Sequence, residues 1–331
     1  MTLQDPAISN RNDDTPASFS TSVFLLGAIS LGGFVGVMSP ASSATLSRGI
    51  DITLLLMIFL LFFELRLSSL FSAVTNIRFL AMAWSANFLI IPIVGLCIAS
   101  LFFSDHPVLF AGLMIYFLAP CTDWFLGFAR LAKGDTELGA TLIPVNIITQ
   151  LLLFPFWLWL FANGAGLADL SPMSTSLLQW FLVPMIAAQG ARCAAERLLP
   201  MQQRVAVMSW VSRGLNFVLA ALIFQIFAMH IGDIAGQLDV AAMVAAAVLF
   251  FFIATFAVGE VLSRLGELKY PQRALLSMTM AARNGPLMLA LTAIAVPDQP
   301  LILAVIVAAM LVEIPLLTAL YQLLLKIRPE R

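Results

Sequence analysis

The sequence predicts an all-α polytopic membrane protein with ten transmembrane helices. Of its 331 residues, 61% are hydrophobic and only 11% are charged, and the mean hydropathy is +0.99. Soluble domains are closer to half apolar and a quarter charged, so the composition excludes an ordinary soluble fold. Ten stretches reach the length of about 20 mostly apolar residues that a spanning helix needs: 22–38, 51–71, 79–103, 107–132, 137–162, 174–191, 205–229, 240–262, 273–296 and 301–325.

The placement of charge predicts the orientation of these spans. Seventeen basic residues nearly balance eighteen acidic ones, which leaves no basic field suited to nucleic acid. Outside the spans, basic residues precede the first span or follow even-numbered spans, and Arg48 stands alone on the opposite side. The positive-inside rule then places both termini in the cytoplasm of a protein in the inner or plasma membrane. We expect the polar, acidic residues 1–21 to form a disordered cytoplasmic tail.

The two halves of the chain correspond when one is shifted by 163 residues. The fourth span, interrupted at 120–123, then aligns with the ninth, interrupted at 283–286. Because each half holds five spans, the repeats, 22–163 and 172–326, must have opposite orientations in the membrane. Paired interruptions in an inverted repeat mark the midplane site of a transporter. The sequence therefore predicts one membrane domain in which the broken helices 4 and 9 share a site.

Opposite charges fall in the two interruptions, at Asp123 and Arg283. A charge at membrane depth costs about 2.5–3.5 kcal/mol even on insertion scales, so it normally faces protein or a watery cavity. If the two interruptions cross near the midplane, pairing the two residues would lower that cost. A salt bridge that only fixes the crossing and a direct role in substrate binding are both open. Thr122 or Asp123, and Asn284 or Gly285, are placed to cap the half-helices that follow.

Several other polar side chains within the spans are candidates for the site. Glu313 has no basic residue nearby in sequence, and we interpret it as a proton relay in preference to a structural carboxylate. Cys121 follows a helix break, where a thiolate could bind a soft metalloid; a buried packing role is equally open. Asn87, Asn146 and Gln150 are placed either to line a cavity or to hydrogen-bond between helices.

Motifs for enzymatic chemistry do not occur in the sequence. There is no phosphate-binding loop, no His-Glu-x-x-His zinc motif and no nucleophile elbow. We therefore expect a protein that is not an enzyme and needs no cofactor. A membrane sensor or scaffold without transport activity is a further alternative.

Several short motifs recur together along the spans: Asn87 with Pro92, Pro120-Cys121, Leu131-Ala-Lys-Gly-Asp135, Asn146 with Gln150, and Val312-Glu-Ile-Pro315. With these motifs the sequence resembles the bile acid/sodium symporter superfamily, and within it the arsenite efflux permease branch, over essentially all ten spans. The resemblance implies that Cys121 and Glu313 match that branch's functional pair. It also implies a core of spans 3–5 and 8–10, in which the broken helices 4 and 9 cross, that rocks against a panel of spans 1, 2, 6 and 7.

The sequence departs from the sodium-coupled branch of that superfamily. Where that branch carries a Glu four residues before a Gln-Asn pair, this sequence has Thr279, Arg283 and Asn284. The Ser-Asn pair of its fourth span falls on Phe125 and Leu126, which offer no side-chain oxygen. Sodium needs oxygen ligands and would be repelled by a fixed positive charge. We hypothesise that Arg283 supplies the charge that sodium would have supplied.

Together these features predict a proton-coupled secondary carrier, an antiporter that exports arsenite or a related metalloid oxyanion. Cys121 would be the transient metalloid ligand and Glu313 the proton carrier. The alternative is a sodium- or proton-coupled carrier of an organic anion held by Arg283. The expected partners are the lipid bilayer, a small-molecule or metalloid anion, and protons in preference to sodium; a homo-oligomer is left open.

Overall fold

The structure is a computed structural model that describes residues 17–39, 43–64, 76–122, 124–164, 173–235 and 238–328. Within these ranges the chain is helical and has no β-strand, so the all-α prediction is confirmed. A π-helical turn over Ala86–Ile90 joins α3 to α4. The helices in chain order are α1 (Ala17–Met38), α2 (Ser43–Glu64), α3 (Ile77–Ser85), α4 (Ile91–Phe103), α5 (Pro107–Leu118), α6 (Phe125–Leu131), α7 (Thr136–Gly164), α8 (Met173–Leu198), α9 (Met201–Ala235), α10 (Leu238–Leu265), α11 (Tyr270–Ala281), α12 (Gly285–Ala295) and α13 (Pro300–Lys326).

Several of the described helices have the length and composition of membrane spans. Large apolar side chains are exposed on these helices, among them Ile93, Leu101 and Leu152, which suits a surface that faces lipid. Shorter apolar helices cover Val23–Met38, Pro107–Leu118 and Gly285–Ala295. Among the residues that the structure describes, five stretches are long and apolar enough to cross a membrane: Ile77–Phe103, Thr136–Phe161, Met201–Gly232, Val240–Leu265 and Pro300–Lys326.

The first two helices begin earlier than predicted. α1 starts at Ala17, within the predicted tail 1–21, and the rest of that tail lies outside the described residues. α2 covers Ser43–Glu64, whereas we predicted a span at 51–71, part of which lies outside the described residues. Apolar length locates the part of a helix that suits the bilayer, but a helix can continue into polar sequence beyond it.

The helices pack in two sets. α1 packs against α9, and α2 packs against α8 and α9. In the second set, α13 packs against α5, α10 and α12, while α4 packs against α5 and α10. The sets meet where α13 contacts α1 and α9, and where α12 contacts α2 and α8. Both halves of the chain therefore contribute to each set.

Close packing of α1 against α9 depends on two glycines. A Cβ atom on Gly32 would lie 2.5 Å from the carbonyl oxygen of Phe224, and one on Gly36 would lie 2.5 Å from that of Ala228. Real Cβ atoms essentially never approach a carbonyl oxygen so closely. This small-xxx-small spacing lets two helix backbones touch in a membrane protein.

We expect Gly36→Ala to lower the melting temperature of the detergent-solubilised protein. The added methyl group would force α1 away from α9, and overpacking of this kind costs about 1–3 kcal/mol. Gly27→Ala in the same helix is the matched control, because a Cβ at Gly27 meets nothing within 4 Å. Equal melting temperatures for the two variants would contradict the close contact.

Candidate functional site

The two predicted interruptions lie directly against each other. The first separates α5 from α6 and the second separates α11 from α12. Pro120 and Arg283 form an isolated antiparallel bridge. This pairing satisfies backbone groups that two broken helices would otherwise bury without partners. Two backbone hydrogen bonds flank the bridge: Cys121 N to the oxygen of Ala282 at 3.0 Å, and Asn284 N to the oxygen of Ala119 at 2.8 Å.

The Pro120–Arg283 bridge joins positions that correspond in the two halves. Pro120 and Arg283 are 163 residues apart, the shift that aligns the halves. The same shift also converts one flanking hydrogen bond into the other. Each bond runs from the N–H of the residue after one bridge position to the carbonyl oxygen of the residue before the other bridge position. The backbone around the bridge is thus locally two-fold symmetric in its hydrogen bonds.

Glu313, on α13, is fully buried beside the bridge. Its Oε1 accepts hydrogen bonds from the backbone N of Arg283 at 2.9 Å and from Trp124 Nε1 at 3.1 Å. Its Oε2 accepts one from the hydroxyl of Tyr116 at 2.6 Å. The arrangement connects α5, the first interruption and the second interruption to a single carboxyl group.

The three donors differ in what they permit at the carboxyl group. An indole N–H and a backbone N–H can only donate, so Oε1 of Glu313 can only accept. A tyrosine hydroxyl can donate or accept. A proton bound by Glu313 would therefore sit on Oε2, and Tyr116 would reverse its hydrogen bond to accept it. Neither Tyr116 nor Trp124 was among the predicted site residues; the available signal was an aromatic side chain with a polar group inside an apolar span.

Arg283 is also fully buried, and its guanidinium donates to backbone and amide oxygens. Nη1 donates to the oxygen of Phe117 at 3.0 Å. Nη2 donates to the oxygens of Thr279 at 2.8 Å and Met280 at 2.7 Å, and to Asn87 Oδ1 at 3.1 Å. The predicted pairing of Arg283 with Asp123 concerns a residue that lies outside the described residues.

Asn87 links the arginine to the π-helical turn. Its Nδ2 donates to Thr279 Oγ1 at 3.1 Å, while its Oδ1 accepts from Arg283. Of the two interpretations of Asn87, the structure shows hydrogen bonding between helices. Single π-helical turns are frequent at functional sites because they re-aim one side chain.

Asn284 caps the second half-helix, as predicted, and also contacts the first interruption. Its Oδ1 accepts from the backbone N of Leu287 at 3.3 Å, and its Nδ2 donates to Thr122 Oγ1 at 2.9 Å. At the first interruption, α6 has Trp124 in the N-cap position without a side-chain capping bond. Thr122 instead meets Asn284, because the two interruptions lie side by side.

Asn146 and Gln150 occupy successive turns of α7 and are both buried. None of their four side-chain nitrogen and oxygen atoms has a hydrogen-bond partner within the described part of the chain. A buried polar atom without a partner costs about 1–3 kcal/mol. Gln150 also lines a cavity of about 10 Å³, room for roughly one water molecule. The other lining residues are Ile115, Leu118, Ala119, Phe154, Trp157 and Met288.

Cys121 differs from the other two cysteines in its surroundings. It is buried within the first interruption, whereas Cys97 and Cys193 are exposed. Its backbone N donates to the oxygen of Ala282, and the N–H of the next residue, Arg283, donates to Glu313. The structure thus brings the predicted thiol and carboxyl residues to the same bridge.

We expect Asn284→Ala to destabilise the protein more than Asn76→Ala. Asn76 caps α3 in the same manner, accepting from Phe79 N at 3.2 Å, so each variant loses a helix cap worth about 1 kcal/mol. Asn284→Ala also removes the buried hydrogen bond to Thr122, which adds about 0.5–1.5 kcal/mol. Thermal unfolding of the two purified variants measures this difference. An equal loss in both would contradict the contact between the interruptions.

Comparison with known proteins identifies the family of this chain. The family model described as the Sodium Bile acid symporter family matches residues 51–237. The Arsenical-resistance protein Acr3 of Corynebacterium glutamicum is 25% identical over 278 residues, which cover 79% of this chain and 73% of that protein. The predicted resemblance is confirmed. The chain belongs to the Sodium Bile acid symporter family, a family of membrane transporters.

Proposed function

We propose that this protein is a proton-coupled secondary transporter that exports arsenite or a related trivalent metalloid. The observation that carries the proposal is the meeting of Cys121 and Glu313 at the Pro120–Arg283 bridge, both fully buried. A soft thiolate suits a metalloid, and a single sulfur ligand can release its cargo. Similarity to a protein named for arsenical resistance supports the same substrate class.

The amides of Asn146 and Gln150 support a hydroxylated solute. Each amide offers donors and an acceptor without a net charge. Arsenite at neutral pH is an uncharged trihydroxy compound whose hydroxyl groups both donate and accept hydrogen bonds. Such a solute, or the water that it replaces, would satisfy the four atoms that have no partner within the described residues. We place the solute between Cys121 and these amides.

The proton in this proposal is carried by Oε2 of Glu313. Tyr116 can hydrogen-bond to that oxygen in both protonation states, as donor to the carboxylate and as acceptor from the carboxylic acid. The two N–H donors keep Oε1 in place during the change. Glu313 can therefore gain and lose a proton without rearrangement of the bridge.

The helix boundaries support an inverted repeat of five spans in each half. Shifted by 163 residues, the bounds of α5 (107–118) coincide with those of α11 (270–281). Under the same shift, the bounds of α7 fall within one residue of those of α13, and the bounds of the α3–α4 stretch fall within two residues of those of α10. Joining α5 with α6 and α11 with α12 across the interruptions, and α3 with α4, yields ten spans. α1, α2, α8 and α9 form the proposed panel, against which the remaining helices rock.

The charge distribution supports the remaining assignments. We place both termini in the cytoplasm and the protein in the plasma membrane, on the positive-inside distribution alone. Exposed apolar side chains on many helices are consistent with lipid contact.

Carriage of an organic anion is the second candidate, and the family description favours it. In that case Arg283 would be the counter-charge of the substrate. However, both Nη atoms of Arg283 donate to protein oxygens, and Nε alone has no partner within the described residues. The geometry therefore favours the metalloid over an anion that needs the guanidinium.

We expect Cys121→Ser to reduce arsenite flux in proteoliposomes by roughly tenfold or more, because a hydroxyl is a poor ligand for a soft metalloid. Cys97→Ser and Cys193→Ser are the matched controls. Both of these cysteines are exposed, so flux should be unchanged. Undiminished flux in Cys121→Ser at equal protein levels would rule out the thiol role.

We expect Tyr116→Phe to weaken the response of arsenite flux to an imposed pH gradient. The change keeps the ring beside Phe117 and removes only the hydroxyl. A hydrogen bond to a charged group is worth about 1.5–3 kcal/mol, so gradient-driven flux should fall roughly tenfold or more. Glu313→Gln should abolish the response.

Tyr321→Phe, on the same helix as Glu313, is the control for Tyr116→Phe. The Tyr321 ring lies beside Phe128, and loss of its hydroxyl should leave the gradient response intact. A wild-type response in Tyr116→Phe would show that Glu313 exchanges its proton without the tyrosine.

A further inference from the structure

The guanidinium of Arg283 joins the C-terminal ends of two half-helices. The oxygen of Phe117 lies in the last turn of α5, and those of Thr279 and Met280 lie in the last turn of α11. Carbonyls in the last turn of a helix have no partner within it and form the negative end of the helix dipole. Two negative ends therefore converge on one cation.

The interruptions themselves make these carbonyls available. In an uninterrupted helix, each would accept from the N–H four residues later. Those three N–H groups all have other acceptors: Cys121 N donates to Ala282, Arg283 N donates to Glu313, and Asn284 N donates to Ala119. The pairing at the bridge thus uses two of these donors and Glu313 uses the third, which leaves three carbonyls for the guanidinium.

The acceptors around the guanidinium form a set of oxygens typical of a cation site. Three backbone carbonyls and the amide oxygen of Asn87 lie 2.7–3.1 Å from its Nη atoms. Transporters with broken helices use such half-helix ends and unwound carbonyls to coordinate sodium or protons. Here a covalently attached cation lies at that position. The face of Phe251, 5.6 Å from the guanidinium carbon, adds a cation–π contact.

A fixed cation at this position also changes what Glu313 can do. The carboxyl group is held by the backbone N of the residue that carries the guanidinium. A buried carboxylate needs a compensating positive charge, which Arg283 supplies without any ion from solution. Glu313 is then left to exchange a proton.

We propose that Arg283 is a tethered cation, whose guanidinium permanently occupies a cation-binding position between two half-helix ends and so makes the carrier independent of sodium. The consequence for transport rests on the proposed carrier function. The occupied cation position does not depend on it.

The first test measures thermal unfolding of purified protein without any substrate. Wild-type protein and Arg283→Ala are compared in sodium chloride, in N-methylglucamine chloride and in millimolar guanidinium chloride at constant ionic strength. The melting temperature of the wild type should be the same in all three salts. Arg283→Ala should melt several degrees lower in N-methylglucamine and should be restored, saturably, by guanidinium or sodium, as for any ligand of the folded state.

Controls keep this test decisive. Arg273→Ala is the control on the preceding helix. Arg273 lies near the start of α11 and pairs with Glu260, so the melting temperature of this variant should show no cation-specific recovery. Arg283→Gln removes the charge but keeps an amide donor, and serves if Arg283→Ala does not fold. A wild type that sodium specifically stabilises, or a folded Arg283 variant indifferent to all three salts, would overturn the proposal.

The second test measures arsenite flux in proteoliposomes with a proton gradient. Wild-type flux should be equal in sodium and in N-methylglucamine, whereas Arg283→Ala should lose about tenfold and regain part of it in guanidinium or sodium. Sodium-dependent flux in the wild type would contradict the tethered cation. If arsenite is not the substrate, this second test shows no flux while the melting experiment still reports on the cation position, so the two failures are distinguishable.

Discussion

The pairing of two broken helices at the Pro120–Arg283 bridge is the constraint from which the rest of the site follows. A helix interrupted inside a low-dielectric region must find partners for the backbone groups that it leaves unsatisfied. The two interruptions provide some of these partners for each other. Among the groups that the pairing does not use are the N–H of Arg283 and three half-helix carbonyls. They bind Glu313 and the guanidinium respectively.

This arrangement brings a buried cation and a buried carboxyl group to one residue. Burying a single charge is costly, and burying a pair is tolerable only when the remaining hydrogen-bonding atoms are satisfied. Glu313 has three donors and Arg283 has four acceptors, so the cost is spread over many hydrogen bonds. The charges therefore serve the site without a direct salt bridge between their side chains within the described residues.

Some buried polar atoms have no hydrogen-bond partner within the described residues. They include the side-chain amide atoms of Asn146 and Gln150, and Nε of Arg283. The hydrogen bonds of Glu313 and of the Arg283 Nη atoms hold the geometry of the site, and the amides of Asn146 and Gln150 have bonding capacity for a solute. Contacts of α12 and α13 with α1, α2, α8 and α9 place this region near the boundary between the two helix sets.

The sequence by itself determined the helical class and the position of both interruptions, and it indicated candidate residues for the site. Apolar length predicts membrane helices, and Pro, Gly and polar residues within such lengths mark the breaks; Asn284 was recognisable as a cap because capping is local. The 163-residue correspondence also predicted that the interruptions belong together. Apolar length did not locate the starts of α1 and α2, because it marks the part of a helix that suits the membrane and not the full extent of the helix.

Only the tertiary structure decided which groups the breaks bring together. Tyr116 and Trp124 reach a carboxyl group nearly two hundred positions away, a contact that no periodicity encodes. The partners of Arg283 that the structure describes are half-helix carbonyls and Asn87, while Asp123, its predicted partner, lies outside the described residues. Those carbonyls are available because their usual donors bond elsewhere, two of them across the antiparallel pairing and the third to Glu313. That diversion depends on two segments meeting in space, which the sequence of either segment alone does not contain.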